Sequence, residues 1–389
     1  MKNFILFYKD ISQVGGAEIL LAEHYLWLKK HNKNVKLICF NFSNLDRVNI
    51  DKKDIIHIEG NHWMIKFFNF LSHLKRINID HIFCHSGYIE TYLASLFGDI
   101  KYSIFYHHPT SMTVNEIDKF SIYFWRRFKK FNSGNFMFKT LKSKFDSFTL
   151  RDHIYINLRA IFSYLGLKFA KNIFVLTKKA KIELKNIFNL NSIVLAGAIK
   201  KDDLKNMMVK RSKNILKSKL NLLTISRHDP NKRIEIIIKS IPYLIKQGIK
   251  PNLIIGGTGE ITENLKLLVN SLKINKYISF KGYIKDSEIS KYYYNSDIFI
   301  SIDWGDYRLT TFEALIFKLR VIVSDDTSYT DLFNSGYLFS SKPLESELAK
   351  TIIKCLETRN FWSHQKLYTH LSEYTWENYF SNIYQYVIR

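Results

Sequence analysis

Two loops in the second half of this sequence carry the charges that a phosphorylated ligand needs. The first is Ser226-Arg227-His228-Asp229-Pro230-Asn231-Lys232-Arg233, directly after the apolar run 221–226. A strand there would deliver Arg227 and Lys232 to its carboxyl end, at the entrance to a helix. Two such cations suit a diphosphate, arginine as a planar fork and lysine as a point charge. The alternative is a solvated basic loop. The second loop is Asp303-Trp304-Gly305-Asp306-Tyr307-Arg308-Leu309-Thr310-Thr311-Phe312-Glu313. It leads into a helical pattern that carries Glu313 on its first turns. A carboxylate there can accept hydrogen bonds from paired sugar hydroxyls, and the helix start can meet a phosphate with its N–H groups.

Glycines mark further candidate contacts. Gly15-Gly16 follows the first apolar run and opens a helical pattern, where backbone can approach an anion; an ordinary tight turn reads the same way. The spacing is not G-x-G-x-x-G, so a dinucleotide fingerprint is not supported. Gly256-Gly257-Thr258-Gly259 follows the run 251–257, and Lys281-Gly282-Tyr283 ends another, where a planar base could lie on backbone. His107 and His108 precede Pro109 at the end of an apolar run, and His107 is a candidate for contact with sugar or acceptor. Paired histidines also suit a metal, but no carboxylate or histidine partner stands at ligand spacing, so no metal is expected. His85 ends a neighbouring run, where a structural role fits equally.

These loops need strands to present them. Short apolar runs at 3–8, 35–40, 81–85, 102–108, 172–177 and 192–197 alternate with helical patterns, and the cycle restarts at 221–226, 251–257, 277–282, 297–302 and 320–325. Apolar strands alternating with helices imply parallel sheets covered on both faces. The expectation is an α/β chain of two Rossmann-like domains facing across a cleft, with ligands at the carboxyl ends of the strands. The first spans 1–200, with an aromatic and basic insertion at about 110–160. The second spans 201–360, and a helical segment at 361–389 is placed to pack back on the first. A length of 389 residues suits two domains.

Lysine and arginine number 58 against 35 acids, a formal charge of +23. Nucleic acid, an anionic membrane and phosphorylated ligands are the candidate causes; drift in an Asn-, Lys- and Ile-rich composition is the plain alternative. No nucleic-acid-binding signature accompanies the charge, so no nucleic acid is expected. The three cysteines, far apart, suit a reduced compartment. The amino terminus does not read as a signal peptide, and no apolar stretch approaches the ~20 residues of a membrane span. A cytoplasmic protein, soluble or peripheral on the inner membrane face, is expected. Within the insertion, Trp125, Arg126, Arg127, Lys129 and Lys130 stand among Phe120, Tyr123, Phe124, Phe128 and Phe131. Such a mixture suits docking on an anionic surface, or an insertion whose aromatics pack inward.

Taken in order, these motifs resemble glycosyltransferase family 4, retaining enzymes of the GT-B fold, over nearly the whole chain. Gly15-Gly16-Ala17-Glu18 matches the early Gly-Gly loop, and Phe105 to Pro109 resembles the histidine motif of mannosyltransferase-like members. Ser226 to Arg233 resembles the G-R-x-x-x-x-K phosphate loop, and Gly305 to Leu315 the E-x7-E motif. The resemblance implies a hexosyltransferase using a nucleotide-sugar substrate, with no separate cofactor, on a saccharide or lipid-linked acceptor in surface glycan assembly. It implies diphosphate contacts from Arg227 and Lys232, ribose contacts from Glu313, and acceptor or sugar contacts from His107 and Gly16. It places Gly257, Tyr283, Tyr307, Arg308, Leu309 and Thr310 around the donor. No protein nucleophile is evident. The chain departs from the family at Gly305, where the first motif glutamate stands, at Arg308, where a glycine is usual, and at Ser226. Asp303 or Asp306 could substitute for the glutamate. A catalytically altered relative and a sugar-nucleotide epimerase are the alternatives.

Overall fold

Runs of β-branched and aromatic residues form two separate parallel sheets in the computed structural model. It describes residues 2–11, 15–42, 49–107, 121–132, 142–143, 145–197, 199–200, 202, 204, 220–303, 308–325, 335–358 and 362–388. The chain divides into two units, Met1–Ala198 with Trp376–Arg389, and Ile199–Thr375.

The first unit contains β1 (Asn3–Phe7), β2 (Asp10–Ile11), α1 (Gly16–Lys30), β3 (Asn34–Cys39), β4 (Asn41–Phe42), β5 (Ile55–His57), α2 (Trp63–Arg76), β6 (His81–Cys84), α3 (Tyr88–Gly98), β7 (Tyr102–Tyr106), α4 (Ile122–Asn132), α5 (Leu150–Lys168), β8 (Asn172–Val175), α6 (Lys178–Glu183) and β9 (Ile193–Val194). Its main sheet runs β5-β3-β1-β6-β7-β8-β9, all parallel. β6 and β7 are buried at every residue, which explains their continuous apolar sequence: helices cover both faces.

The second unit contains β10 (Leu220–Ile225), α7 (Ile234–Lys246), β11 (Pro251–Gly256), α8 (Thr262–Ser271), β12 (Ile278–Gly282), α9 (Asp286–Asn295), β13 (Ile298–Ser301), α10 (Leu309–Ile316), β14 (Arg320–Ser324), β15 (Leu338–Ser341), α11 (Glu345–Glu357) and α12 (His364–Ser372). Its parallel sheet runs β12-β11-β10-β13-β14-β15. Counted from β10 this is the doubly wound order 3-2-1-4-5-6, which reverses direction between β10 and β13. Leu222, Leu253, Ile300 and Ile322 from the sheet pack in one core with Ile237, Ile241 and Leu244 of α7.

The segment read from 361 onward is shared between the units. Helix α12 stays in the second, and the chain re-enters the first at Trp376 as α13 (Trp376–Ile388). Trp376, Tyr379, Phe380, Ile383 and Val387 recur at helical spacing and are buried. Glu377 accepts a hydrogen bond from Trp27 Nε1 at 3.0 Å and pairs with Lys30 at 3.0 Å, tying α13 to α1. The backbone carbonyl of Val387 accepts from Lys171 Nζ at 2.9 Å.

Candidate active site

The strand order reverses between β10 and β13, and the two charged loops meet at the carboxyl ends of these strands. Lys232 closes a short turn after β10, and Asp303 follows β13. Lys232 Nζ lies 3.1 Å from Asp303 Oδ2, with the two side chains 12% and 5% exposed. Arg308 Nε pairs with the same oxygen, while the Ser301 hydroxyl donates to Oδ1 at 3.2 Å. Burial raises the Asp303 carboxyl, but the charges of Arg308 and Lys232 outweigh it and hold it down at about 2. Lys232 is lowered to about 8 by burial and by Arg308, with Asp303 only partly offsetting both. Two cations therefore converge on one carboxylate, and an anionic ligand is the group that would relieve the lysine.

Arg227 is arranged differently. Its side chain is 58% exposed, and Nε donates to Asp229 Oδ2 at 2.5 Å. Arg233, absent from the candidate residues of the sequence, is buried and holds the loop itself. It takes φ of +54°, and Nη1 donates to the Ile302 carbonyl at 3.2 Å and to Ser324 Oγ at 3.1 Å. The turn that carries Lys232 is thereby tied to the ends of β13 and β14.

The glycines after β11 serve this loop directly. Gly257 has φ of +110°, and a Cβ there would stand 1.8 Å from the Ser226 carbonyl oxygen; at Gly259 it would stand 2.5 Å from that of His228. The His228 amide donates to the Thr258 carbonyl at 3.0 Å. The glycines let the loop after β11 press against the backbone of the loop after β10, a use that their spacing alone does not separate from contact with a ligand. His228 is buried, with Nδ1 2.9 Å from Thr262 Oγ1. Gly257 N also donates to the Gly282 carbonyl at 2.7 Å, while Tyr283 remains exposed.

Glu313 lies in α10, where Oε2 accepts from Tyr293 Oη of α9 at 2.8 Å. Leu309 and Thr310 form the first turn, and Arg308 is the residue before it, with no side chain capping the helix start. Asp306, Tyr307 and Gly305 lie outside the described residues. Buried polar atoms without a hydrogen-bond partner include His228 Nε2, Asn231 Oδ1 and Thr311 Oγ1, all on these loops or the first turn of α10. Unpaired buried groups are costly and mark a place where a ligand can bond. Asn231 and Thr311 escaped the sequence reading because their burial has no sequence signal.

In the first unit, His107 follows β7. Its ring hydrogen-bonds the backbone of His85, and burial lowers it to about 4. Nε2 is buried without a partner. The His107 ring lies 5.4 Å from that of His85, whose Nε2 is 3.0 Å from Nδ1 of His24. Burial makes all three neutral bases. His108 lies outside the described residues. Gly16 opens α1 next to Gly15, whose amide donates to Glu18 Oε2 at 2.8 Å; the other oxygen accepts from Tyr8 Oη at 2.6 Å. The helix start is thus closed by its own carboxylate. No group of three or more His, Cys, Asp or Glu is arranged to hold a metal among the described residues.

In the insertion Phe124 packs inward, Trp125 and Phe145 are half-buried, and Tyr155 is exposed. Phe124 is buried against Phe188 at 4.6 Å between centroids, and Trp125 stacks on Phe145 at 4.3 Å. Arg126, Lys129 and Lys130 are exposed. Phe120 and the side chains of Tyr123, Phe128 and Phe131 lie outside the described residues.

Residues 208–377 match the model of the family described as glycosyl transferases group 1. The chain is 27% identical over 192 residues to an alpha-monoglucosyldiacylglycerol synthase of Streptococcus pneumoniae, covering 49% of this chain and 43% of that protein. It is also 27% identical over 172 residues to the synthase of the same name from Acholeplasma laidlawii, covering 42% and 43% respectively. The chain thus spans less than half the length of these curated relatives. Among solved structures, a glycosyltransferase of Rickettsia africae superimposes with a TM-score of 0.66 at 17% identity, covering 100% of this chain and 99% of that one. HepE of Anabaena, in complex with UDP and glucose, superimposes with a TM-score of 0.70 at 13% identity, covering 99% of each chain. The fold is the GT-B class of two parallel-sheet α/β units.

Proposed function

We propose that this protein is a retaining hexosyltransferase that moves a sugar from a nucleotide-sugar donor to a saccharide or lipid-linked acceptor in surface glycan assembly. The carrying observation is the convergence of Lys232 and Arg308 on Asp303 at the reversal of strand order, beside the uncapped start of α10. In this reading the donor diphosphate takes Lys232, Arg227, Arg308 and the first turn of α10, including the unpartnered Thr311 hydroxyl. These charges stabilise the leaving diphosphate, the chief electrostatic task of the transfer. The cations meet that task from side chains, so the reading includes no metal. Glu313, held by Tyr293, receives the ribose hydroxyls. Gly257 and Tyr283 flank the base, and Tyr307, Leu309 and Thr310 flank the phosphates and sugar. His107 and Gly16, in the first unit, contact sugar and acceptor, and Asp303 or Asp306 stands in for the carboxylate missing at Gly305.

UDP-glucose is the first donor to test, because solved neighbours hold UDP and glucose and UDP-glucose. The curated relatives are named for a glucosyl diacylglycerol product, which supports a lipid acceptor, and with it we place the enzyme at the cytoplasmic membrane face. The test is incubation of the purified chain with a panel of nucleotide sugars and lipid or saccharide acceptors, following release of nucleoside diphosphate. The anomeric configuration of the product tests retention. Donor binding without release under every acceptor would favour the catalytically altered relative, a reading that the glycine at 305 supports.

A further inference from the structure

Helix α5 is apolar on opposite sides. Ile156, Ala160 and Leu167 face into the first unit and are buried. On the other side Leu150, Ile154, Leu158 and Ile161 recur at offsets of four, four and three, which sets them in one stripe. They are 79%, 57%, 55% and 51% exposed, and Tyr155 and Phe162 widen the stripe at 58% and 39%. A surface helix of a water-soluble unit ordinarily turns polar residues to that side. A contiguous apolar face of this kind marks a binding surface.

The charges around the stripe identify its occupant. Between residues 121 and 182 the acidic side chains among the described residues are Asp146 and Asp152. Asp152 is used within the helix start, where it accepts from Thr149 N at 2.9 Å and Thr149 Oγ1 at 2.6 Å. Arg151 and Lys168 are exposed on α5 itself, and their long stems can lie along apolar surface while the charges reach outward. Arg126, Lys129 and Lys130 are exposed on α4, which packs on α5 through Phe124 and Tyr164 at 5.8 Å between centroids. An apolar stripe with a cationic border is complementary to an anionic bilayer, whose acyl region takes the stripe and whose headgroups take the charges.

We propose that the exposed face of α5 is a monotopic insertion surface for an anionic lipid bilayer, with α5 lying in the interface and the α4 cations on the headgroups. The proposal rests on the membrane-face reading of the function and moves the apolar anchor from α4, whose Phe124 packs inward, to the aliphatic stripe of α5. No helix among the described residues is long and apolar enough to cross a membrane, so a bilayer contact through α5 is one of lying on the surface.

The test is sedimentation of the full chain with vesicles of phosphatidylcholine containing phosphatidylglycerol, at low and high salt. The variants are Ile154→Asp with Leu158→Asp, and Lys129→Gln with Lys130→Gln. All four positions are exposed, so folding should persist, and binding of UDP in the absence of vesicles serves as the check. The aliphatic double variant should bind vesicles at least about tenfold more weakly at either salt concentration, from the apolar area withdrawn. The lysine double variant should lose affinity mainly at low salt. Undiminished vesicle binding by the aliphatic variant overturns the proposal. So does the finding that the stripe holds a second copy of the chain, seen as a dimer that the aspartates dissolve while vesicle binding is unchanged. A failure of UDP binding in the unaltered chain, with vesicle binding intact, would instead count against the enzymatic reading.

Discussion

Lys232 Nζ and Asp303 Oδ2 stand 3.1 Å apart, with the lysine side chain 12% and the aspartate side chain 5% exposed. Arg308 reaches the same carboxylate. The pair joins the loop after β10 to the loop after β13, and two cations share its carboxylate. Its response to pH and to loss of either partner can be predicted from that sharing.

Affinity for UDP should depend on pH through Lys232. Burial, then Arg308, lowers this lysine to about 8, and its protonated form is the one that attracts a diphosphate. Binding should be flat below pH 8 and weaken as the pH rises above it, until the higher value that the ligand confers is passed. Near pH 8 the complex should take up a proton, visible as a dependence of the calorimetric heat on buffer. The folding linkage has a definite sign. Between pH 8 and the ordinary lysine range the unfolded chain holds more protons, so on this account the free protein gains stability as pH rises. A pH-independent affinity from 7 to 9.5, roughly spanning that titration, would exclude Lys232 from the diphosphate contacts.

Asp303→Asn should destabilise the free protein by about 3–5 kcal/mol, because two partly buried cations lose their shared anion. A diphosphate restores negative charge at the same place. UDP should therefore raise the melting temperature of the variant more than that of the unaltered protein. Equal shifts would show that the ligand does not meet this cluster.

The loop glycines can be separated by their surroundings. Gly257 has φ of +110° with the Ser226 carbonyl in the way, whereas Gly248 has φ of +73° and open space around it. Gly248→Ala should cost about 1–2 kcal/mol, the left-handed strain alone. Gly257→Ala should cost clearly more and, on the proposed function, weaken UDP binding, since the displaced Ser226 backbone leads into the loop that carries Arg227 and Lys232. Urea denaturation measures the first effect and calorimetry the second.

Glu313→Gln should damage donor binding or turnover more than Asp306→Asn. Tyr293→Phe should act in the same direction but less, by about 0.5–1.5 kcal/mol, the worth of an ordinary hydrogen bond. Its effect should fall on donor KM, because the tyrosine positions the carboxylate and is itself buried. Normal kinetics in Glu313→Gln with loss of activity in Asp306→Asn would show that the motif is misaligned in this loop.

The parts of this architecture legible in sequence were those set by burial on both faces. The runs that became β1, β6, β7, β10 and β13 are continuous and apolar because helices cover them on both sides. β5 and β15 went unread: Ile55–His57 and Leu338–Ser341 are short edge strands, half paired, with polar residues in the run. That Lys232 follows a strand was legible from the apolar run before it. The union of Lys232, Asp303 and Arg308 was not, because it depends on which strand ends the reversal of order brings together. Arg233 reads in sequence as one more surface charge, and only its burial against Ile302 and Ser324 reveals it as an anchor. The aromatics of α4 fitted surface docking and inward packing equally in sequence; Phe124 packs on Phe188 and Tyr164 and Trp125 on Phe145, while the bare apolar stripe belongs to α5.

Arg233 has a thermodynamic consequence of its own. A turn fixed at φ of +54° and bonded to Ile302 and Ser324 is already in place before any nucleotide arrives. Association then requires little ordering of this loop, and little apolar surface changes its hydration. The heat-capacity change on binding a bare diphosphate should be correspondingly small. Differences in affinity among nucleotides should lie in how slowly they leave.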